Sequence, residues 1–232
     1  MTVDLVIPVK SLHAAKSRLR GAADCGAGDH GAHTRLTLAL ANDTIAAVRA
    51  ARRVRHLLVV TADPVVIAEL AAGGVAVAPD GPVAGLNPAL EHGAALLRAR
   101  DPSAVVGGLQ ADLPALRPAE LDAAVELAIT AFTAGGVHRA YCADAEGTGT
   151  TLLLCAPGAD LDPRFGPGSA RRHQRSGAYP LPGDWPGLRR DVDTEADLRQ
   201  AADLGLGTHT RGVLALCSGR GVGSSCAQRP AR

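Results

Sequence analysis

Aromatic residues are scarce in this sequence, and long apolar runs are absent. Phe, Trp and Tyr together make up 2% of the 232 residues, although hydrophobic residues make up 47%. We therefore expect a core of Ala, Val and Leu, whose small side chains allow helices to pack closely on a parallel sheet. No apolar run approaches the ~20 residues that a membrane-spanning helix needs, so we expect no membrane partner.

An excess of charge of either sign is also absent. The 24 basic residues face 23 acidic ones, for a net charge of +1, so no electrostatic surface for nucleic acid is indicated. The five cysteines are scattered without a C-x-x-C pair, which argues against a zinc site or a disulfide framework. The N-terminal residues include Asp4 and no basic segment, which argues against a signal peptide. We therefore predict a soluble, cytoplasmic protein.

Short β-rich segments alternate along the chain with longer helical patterns. This alternation is typical of βαβ units and predicts a single-domain, Rossmann-like α/β fold whose mostly parallel sheet is flanked by helices. We place this domain at residues 1–214, with a mobile Gly-rich loop at about 21–31 and a disordered tail at 215–232. The predicted strands are 3–9, 56–60, 75–78, 104–110, 137–142 and 150–155. The predicted helices include 64–72, 88–98 and 118–131, one around residues 36–48 and one that begins at Thr194.

Three cations follow the first predicted strand, at Lys10, Lys16 and Arg18. In an open α/β sheet, ligands bind outside the carboxyl ends of the strands, so these side chains could contact a polyphosphate. Neither a Walker A pattern nor G-x-G-x-x-G follows this strand, which argues against a P-loop kinase or a dinucleotide dehydrogenase. A solvated loop is the alternative interpretation.

Two further segments carry acidic residues that could bind a metal ion. Asp112 follows the buried strand 104–110, and Asp191 and Asp193 are two residues apart. In an extended segment Asp191 and Asp193 point the same way, and carboxylate oxygens are preferred ligands of Mg²⁺. Alternatively, Asp112 caps the next turn and Asp193 supports the N-terminus of the following helix.

Glycines and hydroxyls combine in the segment 147–151, where Gly147 and Gly149 alternate with threonines that include Thr151. Such glycines allow a ligand to approach the backbone, and the hydroxyls can donate to phosphate or carboxylate oxygens. In the segment 165–169 we predict Ser169 as the N-cap of a helix whose free N–H groups face an anion. A plain turn and an ordinary loop-to-helix junction are the alternatives.

A Gly and an Asn, Gly85 and Asn87, precede the helix that we predict from residue 88. This turn could admit a base or a ribose, and a simple helix start is an equal alternative.

Taken together and in this order, these segments resemble the 2-phospho-L-lactate guanylyltransferase family, including its phosphoenolpyruvate guanylyltransferase members. The resemblance covers about residues 3–213. It implies a nucleotidyltransferase fold and a reaction of GTP with a three-carbon phospho-acid, either phosphoenolpyruvate or 2-phospholactate, with release of diphosphate. It also implies a place in coenzyme F-420 biosynthesis. The matching segments are 7–10, 15–19, 85–87, 110–114, 147–151, 165–169 and 191–193.

The resemblance also implies roles for individual residues, carried over onto the matching positions. Asp112 and Lys16 would be catalytic. Mg²⁺ would be bound by Asp112, Asp191 and Asp193. The phospho-acid would be bound by Thr151, Gly166 and Ser169. GTP would be bound by Lys10, Lys16, Arg18, Gly85 and Asn87.

Two other functions remain compatible with the residues. One is a nucleotidyltransferase that acts on another phosphorylated acceptor, such as a sugar phosphate or the molybdenum cofactor, because a fold does not fix a substrate. The other is a nucleotide-binding protein without catalytic activity. The sequence leaves the oligomeric state open, with a homodimer as the assembly considered.

Overall fold

The computed structural model describes residues 1–12, 17–19, 22 and 30–220, and the architecture is that of these residues. The strands are β1 (Val3–Pro8), β2 (Val54–Val60), β3 (Ala76–Ala78), β4 (Val105–Leu109), β5 (Arg139–Ala143), β6 (Thr150–Cys155) and β7 (Tyr179–Pro180). The helices are α1 (His30–Ala50), α2 (Pro64–Ala72), α3 (Leu86–Arg100), α4 (Pro118–Thr133), α5 (Ser169–Arg175), α6 (Pro186–Arg189), α7 (Glu195–Leu204) and α8 (Thr208–Arg220), with a short 3-10 helix at Ser17–Leu19.

The described strands form one seven-stranded sheet in the order β3-β2-β1-β4-β6-β5-β7. β1 pairs in parallel with both β2 and β4, and β2 pairs in parallel with β3. β6 runs antiparallel to its neighbours β4 and β5. The predicted mostly parallel α/β sheet is therefore confirmed. Because β6 is reversed, its first residues lie at the edge where β1 and β4 end.

Helices cover both faces of the sheet. Alternate residues of β1 point to opposite faces, since Leu5 and Ile7 join one core cluster and Val6 joins the other. The first cluster includes side chains of α1, α2, α4 and α6, and the second includes side chains of α3 and α5. A Cβ atom at Gly108 of β4 would lie 2.5 Å from Leu90 Cδ2 of α3, so glycine allows this helix to pack closely on the sheet.

A third cluster forms outside the first layer, where α7 and α8 pack on the outer face of α1. Its buried members include Leu36 and Leu40 of α1 and Leu198 of α7. Asp43 fixes the start of α8, because its carboxylate accepts the N–H groups of His209 and Thr210 at 2.9 and 2.8 Å. α8 spans residue 214, where we placed the end of the domain, and residues 221–232 of the predicted tail lie outside the described residues. The domain bounds therefore stay a prediction.

Most predicted elements are confirmed with small changes at their ends. α2 begins at Pro64 and ends at Ala72 as predicted, with Asp63 as its N-cap. α7 begins after Thr194 as predicted, and the Thr194 hydroxyl accepts the N–H of Asp197 in a capping box. β7, α6 and α8 were not predicted from the sequence. α1 begins at His30, and the rest of the predicted loop at 21–31 lies outside the described residues, apart from residue 22.

Candidate active site

A cavity of about 290 Å³ lies at the carboxyl ends of β1 and β4. Residues that follow these two strands form part of its wall. Side chains of α1, Leu86 at the start of α3 and the segment before α7 form the rest. The cavity therefore has the position where open α/β sheets bind ligands. Its lining includes Pro8, Val9, Lys10, Thr37, Leu40, Ala41, Leu86, Gln110, Ala111, Asp112, Asp191 and Asp193.

The backbone around Asp112 is held from two sides. The hydroxyl of Thr44, on α1, accepts the N–H of Leu113 at 2.9 Å and lies 3.1 Å from the carbonyl oxygen of Ala111. The carbonyl of Asp112 accepts the N–H of Val192 at 3.1 Å. Thr44 is fully buried. These bonds fix the turn after β4 and bring it beside the second acidic segment.

Asp191 and Asp193 both line the cavity, whereas Val192 between them is fully buried. The two acidic residues of this segment therefore lie on the wall of the same cavity. The neighbouring Arg190 anchors this segment through an ion pair, because its guanidinium lies 2.6 Å from Glu146 Oε1. The structure thus brings the two acidic motifs together, although Asp112 and Asp191 are far apart in the sequence.

The three predicted cations have different positions. Lys10 is exposed and lines the cavity beside Asp112. Arg18 is exposed in the short 3-10 helix, and it is not among the described residues that line this cavity. Lys16 lies outside the described residues. Lys10 is therefore the predicted cation that the described structure brings to the carboxylates.

A smaller cavity of about 170 Å³ adjoins the first and shares Pro8, Val9, Lys10 and Leu86 with it. Gly85 lines this smaller cavity. Asn87 has another role, because its side-chain Oδ1 accepts the N–H of Phe165 at 2.8 Å and its Nδ2 donates to the Phe165 carbonyl at 3.3 Å. Both ends of this amide therefore hold the loop before α5.

The turn before β6 is organised by Asp144. Its two carboxylate oxygens accept the N–H groups of Thr148 and Gly149 at 2.8 and 2.7 Å. A Cβ atom at Gly149 would lie 2.3 Å from Asp144 Oδ2. Close approach of this carboxylate, rather than of a ligand, therefore requires glycine at 149.

Thr151 is the second residue of β6 and is fully buried at the carboxyl edge of the sheet. Its carbonyl accepts the N–H of Gln110 at 2.9 Å, so it lies directly beside the strand that leads to Asp112. Oxygens of Asp144, Glu146 and Asp191 lie within 4.8 Å of one another. This group is not the predicted set, and its first two members already bind backbone N–H groups and Arg190.

The prediction that Ser169 is an N-cap is wrong. Gly168 is the N-cap of α5, with φ at 70°, and Ser169 is the first residue of the helix. The Ser169 hydroxyl lies 3.1 Å from Thr150 Oγ1, and its N–H donates to the Gly166 carbonyl at 3.0 Å. The N–H of Ala170 donates to the Thr148 carbonyl at 3.1 Å. These N–H groups are therefore used within the protein and do not form the predicted anion site.

Arg172 also has a structural role that the sequence did not indicate. Its guanidinium donates to the carbonyl of Arg164 at 2.9 Å and also contacts the carbonyl of Pro167. Gly166, predicted as a phospho-acid ligand, lies between these two anchored residues. The loop 164–168 is therefore held by side chains of both α3 and α5.

His173, on α5, also joins this loop to the start of β6. This residue is fully buried, its Nδ1 lies 2.9 Å from Thr150 Oγ1, and its Nε2 accepts the N–H of Arg164 at 2.9 Å. Burial lowers the pKa of the imidazole to about 4, and the nearby Arg139 and Arg172 act in the same direction. The ring is therefore neutral at physiological pH.

These features define the class of the protein. Three carboxylates and a lysine line one cavity beyond the carboxyl ends of parallel strands, and a hydroxyl-rich strand start lies beside it. Hard oxygen ligands and a cation at this place suit a metal-dependent reaction on nucleotide phosphates. The fold is that of the nucleotidyltransferases, as solved structures show.

A protein of Desulfovibrio desulfuricans described as a nucleotide-diphospho-sugar transferase has a TM-score of 0.65 at 18% identity, covering 95% of this chain and 96% of that one. CMP:2-keto-3-deoxy-manno-octonic acid synthetase, solved with CTP, has a TM-score of 0.52 at 16% identity, covering 88% of this chain and 98% of that one. A Mycobacterium tuberculosis protein solved with manganese has a TM-score of 0.50 at 17% identity, covering 88% of this chain and 100% of that one. At these identities the likeness concerns the fold.

The family follows from sequence relatives. Phosphoenolpyruvate guanylyltransferase of Salinispora arenicola is 52% identical over 221 residues, 94% of this chain and 97% of that protein. The protein of the same name from Geodermatophilus obscurus is 50% identical over 210 residues, 90% of this chain and 93% of that protein. The chain belongs to the phosphoenolpyruvate guanylyltransferase family, which confirms the resemblance found in the sequence. No protein-family model matches the chain.

Among the described residues, no helix is both long and apolar enough to cross a membrane.

Proposed function

We propose that this protein transfers GMP from GTP to phosphoenolpyruvate and releases diphosphate. The observation that carries the proposal is that Lys10, Asp112, Asp191 and Asp193, drawn from three separate segments, line one cavity in a chain that is 52% identical to a phosphoenolpyruvate guanylyltransferase. 2-Phospholactate is the alternative acceptor of the same chemical class. We place the reaction in the biosynthesis of coenzyme F-420, in the cytoplasm, with a homodimer as the proposed assembly.

A divalent metal ion, which we assign as Mg²⁺, fits the side chains that line the cavity. Asp112, Asp191 and Asp193 offer hard carboxylate oxygens, and the bond from Val192 N–H to the Asp112 carbonyl holds their two segments together. Mg²⁺ is commonly bound by one or two carboxylates together with substrate phosphates. When bound, the metal ion neutralises charge on the triphosphate and stabilises the charge that develops during transfer.

The proposed reaction needs no nucleophile from the protein. A phosphate oxygen of phosphoenolpyruvate attacks the α-phosphorus of GTP, a new P–O bond forms, and the bond to the diphosphate group breaks. Because the acceptor phosphate is ionised near neutral pH, a general base is unnecessary. Binding and alignment by the chain's own residues therefore provide most of the catalysis.

Individual residues have distinct roles in this proposal. Lys10 contacts the triphosphate from its place beside the carboxylates, and Lys16 and Arg18 assist from the segment after β1. Thr151 and Ser169, together with Gly166, bind the phospho-acid near the start of β6. We assign the nucleoside to the smaller cavity, which Gly85 lines. Asn87 acts indirectly, because its amide is bonded to Phe165.

The acceptor is tested by incubating the purified protein with GTP, Mg²⁺ and one acceptor at a time. The panel contains phosphoenolpyruvate, 2-phospholactate, 3-phosphoglycerate and a sugar 1-phosphate, and the measurements are diphosphate release and the mass of the product. We expect product with phosphoenolpyruvate. Product with the sugar phosphate and none with a phospho-acid would contradict the proposal, as would no product with any acceptor while a homologous enzyme is active in the same assay.

A further inference from the structure

His173 lies at the centre of the contacts that join the start of β6 to the loop before α5. Its two ring nitrogens contact Thr150 Oγ1 and Arg164 N, each at 2.9 Å. The ring of Phe165 packs edge-on against it, with centroids 5.2 Å apart, and the ring of Tyr141 lies at 5.9 Å. Since the residue is fully buried, these contacts leave it no access to solvent.

The partners of the imidazole fix which nitrogen carries the proton. The backbone N–H of Arg164 can only donate, so Nε2 of His173 must be unprotonated. In the neutral ring the hydrogen is therefore on Nδ1 and is donated to the hydroxyl oxygen of Thr150. Both nitrogens are then used within the protein, so His173 is not a general acid or base.

The same arrangement determines the hydrogen bonds of Ser169. The Ser169 hydroxyl donates to Thr150 Oγ1 at 3.1 Å, and Thr150 Oγ1 also accepts from His173, so the hydrogen of the Thr150 hydroxyl itself stays available to other groups. When Ser169 turns its hydrogen toward a ligand, Thr150 can donate to the serine oxygen in its place. The pair of hydroxyls therefore stays hydrogen-bonded whether or not Ser169 binds a ligand.

We propose that His173 is the positioning residue of the acceptor pocket, since it holds Thr150, Ser169 and the loop 164–168 in one arrangement. The inference rests on the proposed function, in which Ser169, Gly166 and Thr151 bind the phospho-acid. His173 does not touch the substrate. The residues that we assign to the phospho-acid lie at the starts of β6 and α5 and in the loop before α5. His173 positions them through its contacts with Thr150 and with the backbone N–H of Arg164.

Three substitutions of His173 distinguish the effects of losing each of the two hydrogen bonds of the ring. His173→Leu removes both, His173→Asn retains an amide donor near the position of Nδ1, and His173→Gln retains an amide acceptor near the position of Nε2. The matched control is His138→Gln, because His138 is exposed. Circular dichroism and thermal unfolding show which variants are folded, and Asn and Gln carry the test if Leu does not fold.

We expect His173→Leu to raise KM for phosphoenolpyruvate about tenfold or more while KM for GTP changes by less than about twofold. The Asn and Gln variants should lie between Leu and the wild type. Calorimetric titration with phosphoenolpyruvate should show the same loss of affinity. Equal increases in both KM values would indicate a general loss of structure and would overturn the inference.

The inference and the proposed function fail in different ways. If the wild type transfers GMP to phosphoenolpyruvate, and folded His173 variants bind this acceptor as the wild type does, the inference alone is wrong. If the wild type neither binds nor uses any phospho-acid, the proposed function is wrong and the inference falls with it. An unchanged KM in the His138→Gln control is required for either conclusion.

Discussion

Thr44 accepts a hydrogen bond from the N–H of Leu113 at 2.9 Å, across 69 residues of sequence. This bond connects α1 to the turn that carries Asp112, the carboxylate that we assign to the metal ion. Because Thr44 is fully buried, no water molecule can replace its hydroxyl. The geometry of the proposed active site therefore depends on a helix residue that is not among the described residues lining the cavity.

Replacing Thr44 by Val removes this acceptor and keeps the shape of the side chain. The buried N–H of Leu113 then has no partner, so we expect a loss of about 1–3 kcal/mol in the free energy of unfolding. Misplacement of Asp112 should lower kcat/KM by about ten- to hundredfold in the folded protein. Urea denaturation and steady-state kinetics measure the two effects. Thr44→Ser, which keeps the hydroxyl, should retain most of the activity, and equal losses in Ser and Val would contradict the role of the hydroxyl.

Asp112→Asn removes a charge from the proposed metal site without changing its volume. We expect kcat to fall about a hundredfold or more, since neutralising the triphosphate contributes several kcal/mol. The Mg²⁺ concentration that gives half-maximal activity should also rise. Asp203→Asn is a suitable control because Asp203 is exposed on α7. Unchanged Mg²⁺ dependence in an active Asp112→Asn variant would remove this residue from the metal site.

The buried imidazole of His173 predicts a specific dependence of stability on pH. Its pKa is lowered to about 4 by burial, with Arg139, Arg172 and Arg164 acting in the same direction and Asp162 opposing. The unfolded chain, with a pKa near 6.5, binds more protons between these values, so stability falls as the pH decreases through this range. From the two pKa values we expect a loss of about 2 kcal/mol between pH 7 and pH 5.

Urea denaturation at pH 7, 6 and 5 measures this loss, and His173→Gln provides the comparison. Other groups titrate alike in both proteins, so the difference between them reports on the imidazole. We expect the stability of the variant to change less with pH than that of the wild type. Parallel curves for the two proteins would show that His173 does not titrate in this way.

Replacing Arg55 should lower the stability of the protein without lowering its activity. Its guanidinium is bonded to the buried Asp4 at 2.7 Å and to Asp101 at 2.7 Å, near the amino ends of β1, β2 and β4. Arg55→Met leaves the Asp4 carboxylate unpaired, at an expected cost of about 2–3 kcal/mol, reduced because the Arg55 side chain is 37% exposed. The proposed active site is at the opposite ends of these strands, so kcat/KM of the folded protein should not change.

The measurements are urea denaturation and kinetics well below the unfolding transition. Arg100→Met removes an exposed arginine at the end of α3 and should leave both quantities near their wild-type values. A lower kcat/KM in folded Arg55→Met would show that this ion-pair network communicates with the site.

The sequence by itself determined the local elements and the candidates for chemistry. Proline in the first turn and Asp63 before it specified α2, and the Thr194–Asp197 pair specified the start of α7. Such signals act within a few residues, so they can be read without knowledge of the rest of the chain. The alternation of β and α segments likewise predicted the mostly parallel sheet.

Only the tertiary structure decided how these pieces meet. The reversed direction of β6 brings Thr150 to the edge where β4 ends, and its pairing partner cannot be read from its composition. The same holds for Asn87, which bonds to Phe165 across 78 residues, and for the buried contacts of Thr44 and His173. These roles depend on groups that are distant in sequence and that become neighbours only when the helices pack on the sheet.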